Sequence, residues 1–364
     1  MYEDLPKEIT AVWKSLFHLL EVFSEISDRL DPVRLKEYSL RLNPLSESLK
    51  NFLNDLKPAY SMQKDSPESL ISLAASQALL GAERFQSAGT DAQAIFKVYQ
   101  SFRPVCRSEE ILYQLAGRFE EVSAHFLHPS EKENRRLLDS LIIKDTDSKI
   151  SYGIADSENE RGQRGGYSLY VPEYYSEVRP WPLVIALHGG SGHGADFFWS
   201  WLRDARTFGF VLAAPTSIDR TWSLHTPGTD AVNLNRMLSE ISSKINIDAN
   251  HILLTGLSDG GTYSMILSTV RQSPFTHFAP VASAAHVLLN RSGVISVPVK
   301  DLPVYLVHGT KDWMFSVQKA RETASALEKS GAKLVYREIP DLSHNYPRDE
   351  NISILKWFYP ARFE

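Results

Sequence analysis

The stretch Ile252–Gly261 constrains the fold more than any other part of this chain. An apolar run stops at Gly256-Leu257-Ser258-Asp259-Gly260 and then continues with a helical pattern. A serine on a tight strand-to-helix turn needs small residues two positions away on either side, because the two arms of the turn approach closely. The G-x-S-x-G spacing therefore predicts a nucleophile elbow. There the Ser258 hydroxyl stands clear of a sheet, and the Asp259 N–H lies at the positive end of the following helix.

Strand-like and helix-like segments alternate on both sides of this elbow, which indicates a mostly parallel sheet covered by helices on both faces. The run Leu183–Leu187 is apolar throughout, as expected of a buried parallel strand. The further strands are expected at Phe210–Ala214, His251–Thr255, Phe278–Val281, Val304–Val307 and Leu334–Ile339. The helices between them are expected at Asp196–Phe208, Asp230–Ile245, Ser258–Val270, Val317–Lys329 and Ile352–Phe358.

The first third of the chain has a different pattern. Its apolar residues recur at helical spacing, and strand-like alternation is nearly absent. We expect an all-helical N-terminal domain over residues 1–130 and an α/β catalytic domain over residues 131–364, since 364 residues exceed most single domains. The expected helices are Leu5–Leu30, a second one up to Pro58, Leu70–Phe85 after the start signal Ser66-Pro67, Ala92–Tyr99 and Ser108–Phe126. The catalytic domain is expected to open with strands at Leu141–Ile143, Lys149–Ile154 and Tyr167–Val171.

A serine hydroxyl is a weak nucleophile at neutral pH, so Ser258 requires a base and an acid that orients the base. Asp312 and His344 each follow an expected strand, and ligand-facing loops of an α/β sheet lie at the carboxyl ends of its strands. The order serine, aspartate, histidine is also that of α/β-hydrolases.

Other residues compete for these roles. For the base they are His193, His225, His286 and His308, of which His308 is expected to brace the acid and His193 to be a solvated loop residue. For the acid they are Asp301, which precedes its strand, and Asp341, which is only three residues from His344.

The glycine-rich segment His188–Gly194 follows the strand that ends at Leu187. Glycines there leave backbone N–H groups available to a substrate oxygen. We expect the N–H of Gly190, with Ser191 as the alternative, to form an oxyanion hole together with the N–H of Asp259.

These four elements together resemble the α/β-hydrolase superfamily, and within it the phospholipase/carboxylesterase and feruloyl-esterase-like group. The resemblance covers roughly residues 167–358 and rests on the His-Gly-Gly loop, the elbow, His308-Gly309-Thr310-Lys311-Asp312 and Leu342-Ser343-His344. It implies carboxyl-ester hydrolysis without a metal or an organic cofactor. The N-terminal helices lie outside the resemblance.

Two tryptophans are candidates for the walls of a substrate pocket. Trp222 lies in a polar loop and Trp313 is next to Asp312, and ligand sites are commonly lined by aromatic side chains with a few polar groups. Packing against the helices is the alternative for both.

Composition limits the partners. A formal net charge of -5 without a basic stripe argues against nucleic acid, and no apolar run reaches membrane-spanning length. The one cysteine, Cys106, fits a reducing compartment, and the acidic N-terminus lacks the features of a signal peptide, so a cytoplasmic enzyme is expected.

The hypothesis that follows is a serine esterase acting on small to medium carboxyl esters, with the N-terminal helices serving in homo-oligomerisation or as a lid. The alternatives are a thioesterase or lysophospholipase acting on longer acyl chains, and a non-catalytic interaction protein built on a hydrolase fold.

Overall fold

The structure is a computed structural model, and it describes residues 2–5, 7–56, 65–89, 91, 93–142, 151–225, 227–284, 288, 295 and 299–364. The chain divides into two compact units, Met1–Lys144 and Asp145–Glu364. Among the described residues, no helix is both long and apolar enough to cross a membrane.

The N-terminal unit is helical, as expected. Its helices are α1 (Lys7–Asp28), α2 (Leu35–Leu56), α3 (Pro67–Gln86), α4 (Ala94–Tyr113), α5 (Glu120–His125) and α6 (Arg135–Ser140). The predicted apolar face of α1 is buried, with Leu16, Leu19 and Phe23 at most 1% exposed. The Ser66 side chain accepts the N–H of Ser69 and caps α3, which agrees with the start signal in the sequence.

The expectation of separate helices at Ala92–Tyr99 and Ser108–Phe126 is wrong. One helix, α4, runs through Pro104 to Tyr113, although a proline removes a backbone donor. Its buried face packs closely on α3 at Gly81, where an added Cβ would lie 2.7 Å from Val105. Tertiary packing here outweighs the local cost of the proline.

The second unit is built on one eight-stranded sheet. Its strands are β1 (Gly153–Ser157), β2 (Tyr167–Val171), β3 (Trp181–Leu187), β4 (Val211–Pro215), β5 (Ile247–Leu257), β6 (His277–Val281), β7 (Pro303–Gly309) and β8 (Lys333–Ile339). The spatial order is β1-β2-β4-β3-β5-β6-β7-β8. The first three strands in that order pair antiparallel, and all pairs from β4 to β8 are parallel, which confirms the predicted mostly parallel sheet.

Helices follow the strands as the sequence predicts, except that the single helix expected at Asp196–Phe208 is divided into two by a 3-10 turn at Phe198–Ser200. They are α7 (Gly194–Phe197), α8 (Leu202–Phe208), α9 (Gly228–Lys244), α10 (Asp259–Ser268), α11 (Val317–Lys329) and α12 (Asn351–Phe358). The core strand β3 is buried along its whole length. This topology is that of the α/β-hydrolase fold.

The expected opening strand at Leu141–Ile143 is wrong where the structure describes it. Leu141 and Ile142 form the turn that ends α6, whose buried apolar residues follow the helical period instead. Ile143 and the first residues of the expected strand Lys149–Ile154 lie outside the described residues, and β1 begins at Gly153.

Candidate active site

Ser258 lies at the turn between β5 and α10, at the carboxyl end of a central strand. Its backbone has φ 56° and ψ −116°, a conformation that a non-glycine residue rarely adopts. The turn is tight because glycines flank it: a Cβ on Gly256 would lie 2.6 Å from the Gly260 backbone. The N–H of Ser258 donates to the carbonyl of Val281 on the neighbouring strand at 2.9 Å, which fixes the position of the turn.

The side chains of Ser258, His344 and Asp312 form one hydrogen-bonded line. The distance from Ser258 Oγ to His344 Nε2 is 3.1 Å, and the distance from His344 Nδ1 to Asp312 Oδ2 is 2.9 Å. All three residues are buried, at 5–9% exposed. In this arrangement the Nδ1–H of His344 donates to Asp312, so Nε2 can accept the proton of the Ser258 hydroxyl.

The loops that carry Asp312 and His344 are hydrogen-bonded to each other. The N–H of Lys311 donates to the carbonyl of Leu342 at 2.9 Å, and the N–H of Thr310 donates to the carbonyl of Ile339 at 3.0 Å. The two loops follow the neighbouring strands β7 and β8, so the sheet register determines where the side chains of Asp312 and His344 meet.

Asp312 is held in its ionised form. Burial raises the pKa of its carboxyl group, but the hydrogen bond and charge of His344 and the N–H of Phe315 more than compensate, and the pKa lies below its usual value. His308 supports this loop: its Nε2–H donates to the carbonyl of Phe315 at 2.8 Å, and the same nitrogen is 3.6 Å from Asp312 Oδ2. The expectation that His308 braces the acid agrees with these contacts.

The glycine loop after β3 passes directly beside Ser258. A Cβ on Gly189 would lie 3.6 Å from the Ser258 Cβ, and a Cβ on Gly190 would lie 2.6 Å from Oδ2 of Asp259. The Asp259 carboxylate also accepts the Thr221 hydroxyl at 2.6 Å. The structure thus brings Gly190, Asp259 and Ser258 together. The N–H of Ser191, the alternative donor, is directed to the carbonyl of Arg220 at 3.1 Å.

His188 anchors the glycine loop from its buried side. Its Nδ1–H donates to the carbonyl of Gly189 at 2.7 Å, and its Nε2 accepts the N–H of Ser217 at 3.1 Å. Burial, together with the nearby Arg164 guanidinium, lowers the pKa of His188 to about 3, so the ring is neutral. In a trans peptide the C=O and N–H point in opposite directions, so holding the Gly189 carbonyl fixes the direction of the Gly190 N–H.

Arg164 was missed in the sequence, where it lies in the polar segment between β1 and β2. Its guanidinium donates to the carbonyl of Gly192 at 3.2 Å and to the carbonyl of Ser217 at 2.9 Å. It also donates to the Ser217 hydroxyl, and its Nη2 is 3.5 Å from His188 Nε2. The side chain therefore joins the glycine loop to the loop after β4. The only available signal was an arginine in a glycine-rich connection, which is too common to be informative.

The two candidate pocket tryptophans differ in environment. Trp222 is 3% exposed, stacks on Tyr263 with the rings 5.4 Å apart, and donates its Nε1–H to the carbonyl of His188 at 2.8 Å. These contacts support the packing alternative for Trp222. Trp313 is 43% exposed, and its ring centroid is 5.9 Å from that of His344.

The competing residues lie elsewhere. The expectation that His193 is solvated is wrong: it is 8% exposed because its Nδ1 caps α7 and its Nε2 bonds the carbonyl of Gln163. His225 is exposed, and His286 lies outside the described residues. Asp341 is exposed and pairs with Lys311 at 2.7 Å. Asp301 precedes β7, at the strand end opposite the elbow.

The sheet order and the position of the elbow identify the C-terminal unit as an α/β-hydrolase domain. Residues 231–359 match the sequence profile of the phospholipase/carboxylesterase family. The unit thus has the α/β-hydrolase fold, and the part of it that matches a family profile is similar to the phospholipase/carboxylesterase family.

Similar proteins carry esterase names. A bifunctional acetylxylan esterase/xylanase of Neocallimastix patriciarum is 25% identical over 54% of this chain and 28% of its own length. A probable feruloyl esterase C of Aspergillus niger is 25% identical over 30% of this chain and 43% of its own length. The chain thus spans less than half the length of these relatives. An acetyl xylan esterase structure from Aspergillus awamori aligns with 15% identity and a TM-score of 0.47, covering 57% of this chain and 98% of the other.

Proposed function

We propose that this protein is a carboxylic ester hydrolase in which Ser258 is the nucleophile, His344 the general base and acid, and Asp312 the residue that orients His344. The observation that carries the proposal is the hydrogen-bonded line from Asp312 through His344 to Ser258, at 2.9 and 3.1 Å. Ser258, the proposed nucleophile, occupies a strained strand-to-helix turn that presents its hydroxyl to a substrate.

The reaction takes two acyl-transfer steps. His344 Nε2 takes the proton of Ser258, and Oγ attacks the ester carbonyl carbon to give a tetrahedral oxyanion. When the oxyanion collapses, the C–O bond to the alcohol breaks and the alcohol leaves with the proton from His344. Water then loses a proton to His344 and attacks the acyl-enzyme, and the acid leaves while the proton returns to Ser258.

We assign the oxyanion hole to the N–H groups of Gly190 and Asp259. Asp259 is the first residue of α10, where backbone N–H groups have no acceptor within the helix and the helix dipole is positive. Two contacts support the assignment of Gly190: His188 holds the Gly189 carbonyl, and the N–H of Ser191 already donates to the carbonyl of Arg220. One such donor contributes about 2.7–4 kcal/mol to transition-state stabilisation in a well-studied protease.

The substrates we propose are small to medium carboxyl esters, and similarity to proteins named acetylxylan and feruloyl esterases supports an ester. The test compares the wild-type chain with Ser258→Ala on 4-nitrophenyl esters from acetyl to palmitoyl. Ser268→Ala is the matched control, because Ser268 is a buried serine at the other end of α10 whose hydroxyl bonds the carbonyl of Met265.

We expect Ser258→Ala to reduce kcat about 10⁴-fold or more and Ser268→Ala to leave it within about twofold. A fluorophosphonate should modify the wild-type chain at Ser258, with loss of fluoride, and should leave Ser258→Ala unmodified. Equal hydrolysis by wild type and Ser258→Ala would refute the nucleophile. Absence of both hydrolysis and labelling would favour the interaction-protein alternative.

We further propose that the N-terminal unit mediates homo-oligomerisation. Its described residues include the exposed apolar side chains Val33, Leu40 and Leu73, exposed by 87%, 63% and 50%, and the proposal assigns them to the contact. Sedimentation of the whole chain should give a dimer, and Leu40→Glu combined with Leu73→Glu should give a monomer. A monomeric wild-type chain would leave the lid as the remaining role.

A further inference from the structure

Two apolar side chains project from the turn that follows Asp312. Trp313 and Met314 are 43% and 45% exposed, although Ser258, Asp312 and His344 are buried. The turn is fixed by the acid itself, because Asp312 Oδ1 accepts the N–H of Met314 at 2.9 Å and that of Phe315 at 2.7 Å. A large aromatic side chain that is exposed on a fixed turn is typical of a recognition surface.

Trp313 lies next to the imidazole that handles the proton. The ring centroids of Trp313 and His344 are 5.9 Å apart with the planes at 73°, and those of Phe315 and His344 are 5.4 Å apart at 76°. Phe315 is the less exposed of these two aromatic neighbours. Trp313 is therefore the aromatic neighbour of His344 that presents more surface to solvent.

The chemistry of ester cleavage determines which half of the substrate comes near His344. A general acid must reach the leaving oxygen within hydrogen-bond distance, so the alcohol oxygen lies beside Nε2 of His344 when the ester bond breaks. The acyl half stays on Ser258. An exposed side chain that adjoins the imidazole is therefore a candidate to contact the alcohol half.

The glycine-loop side of the site has a different chemical character. On the glycine-loop side, the Asp259 carboxylate bonds the Thr221 hydroxyl at 2.6 Å, and the Arg220 guanidinium donates to the Ser191 hydroxyl at 2.8 Å. Hydrogen-bonded polar side chains thus lie beside the proposed oxyanion donors, whereas the rings of Trp313 and Phe315 lie beside the imidazole. An apolar alcohol therefore matches the side that carries Trp313 and Phe315 better than the glycine-loop side.

We infer that Trp313 is the platform for the alcohol half of the substrate, and that the preferred alcohols carry a ring with an apolar face, either aromatic or saturated. The inference rests on the proposed esterase function. The flat indole surface packs against a ring face with more contact than against a linear chain of similar size. Trp313 is a specificity-determining residue in this scheme and takes no part in proton transfer.

The test uses acetate esters that differ only in a primary alcohol: ethyl, n-hexyl, cyclohexylmethyl and benzyl. Primary alcohols have similar leaving oxygens, so the chemical step stays comparable across the series. Wild type should prefer the two ring esters over the n-hexyl ester in kcat/KM. Comparison of the cyclohexylmethyl and benzyl esters distinguishes a saturated ring from an aromatic one.

Trp313→Ala should lower the ratio of ring-ester to n-hexyl-ester kcat/KM about fivefold to tenfold and should lower ethyl acetate hydrolysis less than ring-ester hydrolysis, while Trp313→Phe should keep most of the preference. Met314→Ala is the matched control, because it removes an equally exposed apolar side chain from the same turn. It should leave the ring preference unchanged.

An unchanged ring preference in Trp313→Ala, with Ser258-dependent hydrolysis of ethyl acetate intact, would overturn this inference alone. Failure of the wild-type chain to cleave any ester, with no labelling of Ser258, would overturn the proposed function and this inference with it. Equal losses in Met314→Ala and Trp313→Ala would also overturn the assignment to Trp313.

Discussion

The carboxylate of Asp312 bonds His344 through one oxygen and its own loop through the other. Oδ2 accepts the Nδ1–H of His344 at 2.9 Å, while Oδ1 accepts the N–H groups of Met314 and Phe315 at 2.9 and 2.7 Å. The position of the imidazole is therefore coupled to the fold of the loop. The same contacts stabilise the ionised carboxylate and keep its pKa below the usual value despite burial.

Replacing Asp312 by Asn separates these two roles. The amide oxygen can still accept the two loop N–H groups, but the amide NH₂ that replaces Oδ2 cannot accept the Nδ1–H of His344. The ring then favours the wrong tautomer, and kcat should fall about 10⁴-fold, as in the reference serine protease, with little change in the melting temperature. Kinetics with 4-nitrophenyl acetate and thermal unfolding of the same sample measure both effects. Near wild-type kcat would refute the role of Asp312.

The contact between Gly190 and Asp259 gives a prediction with an internal rescue. An alanine at position 190 would place its Cβ 2.6 Å from the Asp259 carboxylate oxygen, so either the glycine loop or the Asp259 side chain must shift. Losing one oxyanion donor costs about 10²–10³-fold in kcat.

Asp259→Ala removes the clashing atoms and keeps the backbone N–H of residue 259. Gly190→Ala should therefore reduce activity much less in the Asp259→Ala background than in wild type. A double-mutant cycle in kcat/KM measures this coupling. Strictly additive effects would show that the clash does not control the loop.

Arg164 offers a test of loop positioning at a distance from the reacting atoms. Arg164→Ala removes the donors that join Gly192 to Ser217, so kcat should fall about 10- to 100-fold through misplacement of the glycine loop, with a smaller change in KM. The free energy of unfolding should fall by about 1.5–3 kcal/mol. Arg161→Ala is the control, because Arg161 belongs to the same segment but pairs with Asp196 of α7, two residues past that loop. Equal kinetics in the two variants would contradict the assignment.

His188 predicts an acid sensitivity with a definite sign. Its pKa is about 3 in the folded protein and 6.5 when exposed, so between these pH values the unfolded chain binds a proton that the folded chain does not. The stability therefore falls as the pH drops from 6.5 towards 3, and His188 contributes no pH dependence above that window.

Chemical denaturation at several pH values measures this contribution. Between these pH values, the free energy of unfolding of wild type should fall with decreasing pH more steeply than that of His188→Asn. The two slopes should differ by up to about 1.4 kcal/mol per pH unit. His277→Asn is a useful comparison, since burial lowers the pKa of His277 to about 4 at the strand end opposite the elbow. His277→Asn should also reduce the pH dependence of stability at acidic pH, but it should not reduce the esterase activity. Equal slopes of the free energy of unfolding against pH in wild type and His188→Asn would refute the prediction.

Much of the α/β unit could be predicted because its strands are apolar and its helices amphipathic. The helix Val317–Lys329 has the bounds that were expected, and β8 differs by one residue. The positions of Asp312 and His344 followed from chain order, since parallel strands present their following loops at one edge. The strand β5 is longer than expected because its first residues, Ile247–Asn250, are not apolar enough to appear as a strand.

The contacts that position the glycine loop could not be predicted. Arg164 reaches Ser217 across 53 positions of sequence, and nothing in the local pattern around either residue indicates their meeting. His193 was misjudged for a related reason: a polar residue among glycines looks exposed, yet here it is an N-cap whose second nitrogen bonds Gln163. Such contacts depend on the folded sheet and not on the composition of the segment.

The backbone of Ser258 opposes folding at the very residue on which the proposed chemistry depends. A non-glycine residue at φ 56° and ψ −116° costs on the order of 1–3 kcal/mol, and an alanine there bears the same burden. Glycine adopts this conformation without that cost. The Ser258→Gly variant should therefore lack esterase activity yet melt at a higher temperature than wild type. At this position a higher melting temperature would then come with loss of catalysis, and selection for heat resistance alone would favour replacement of the serine.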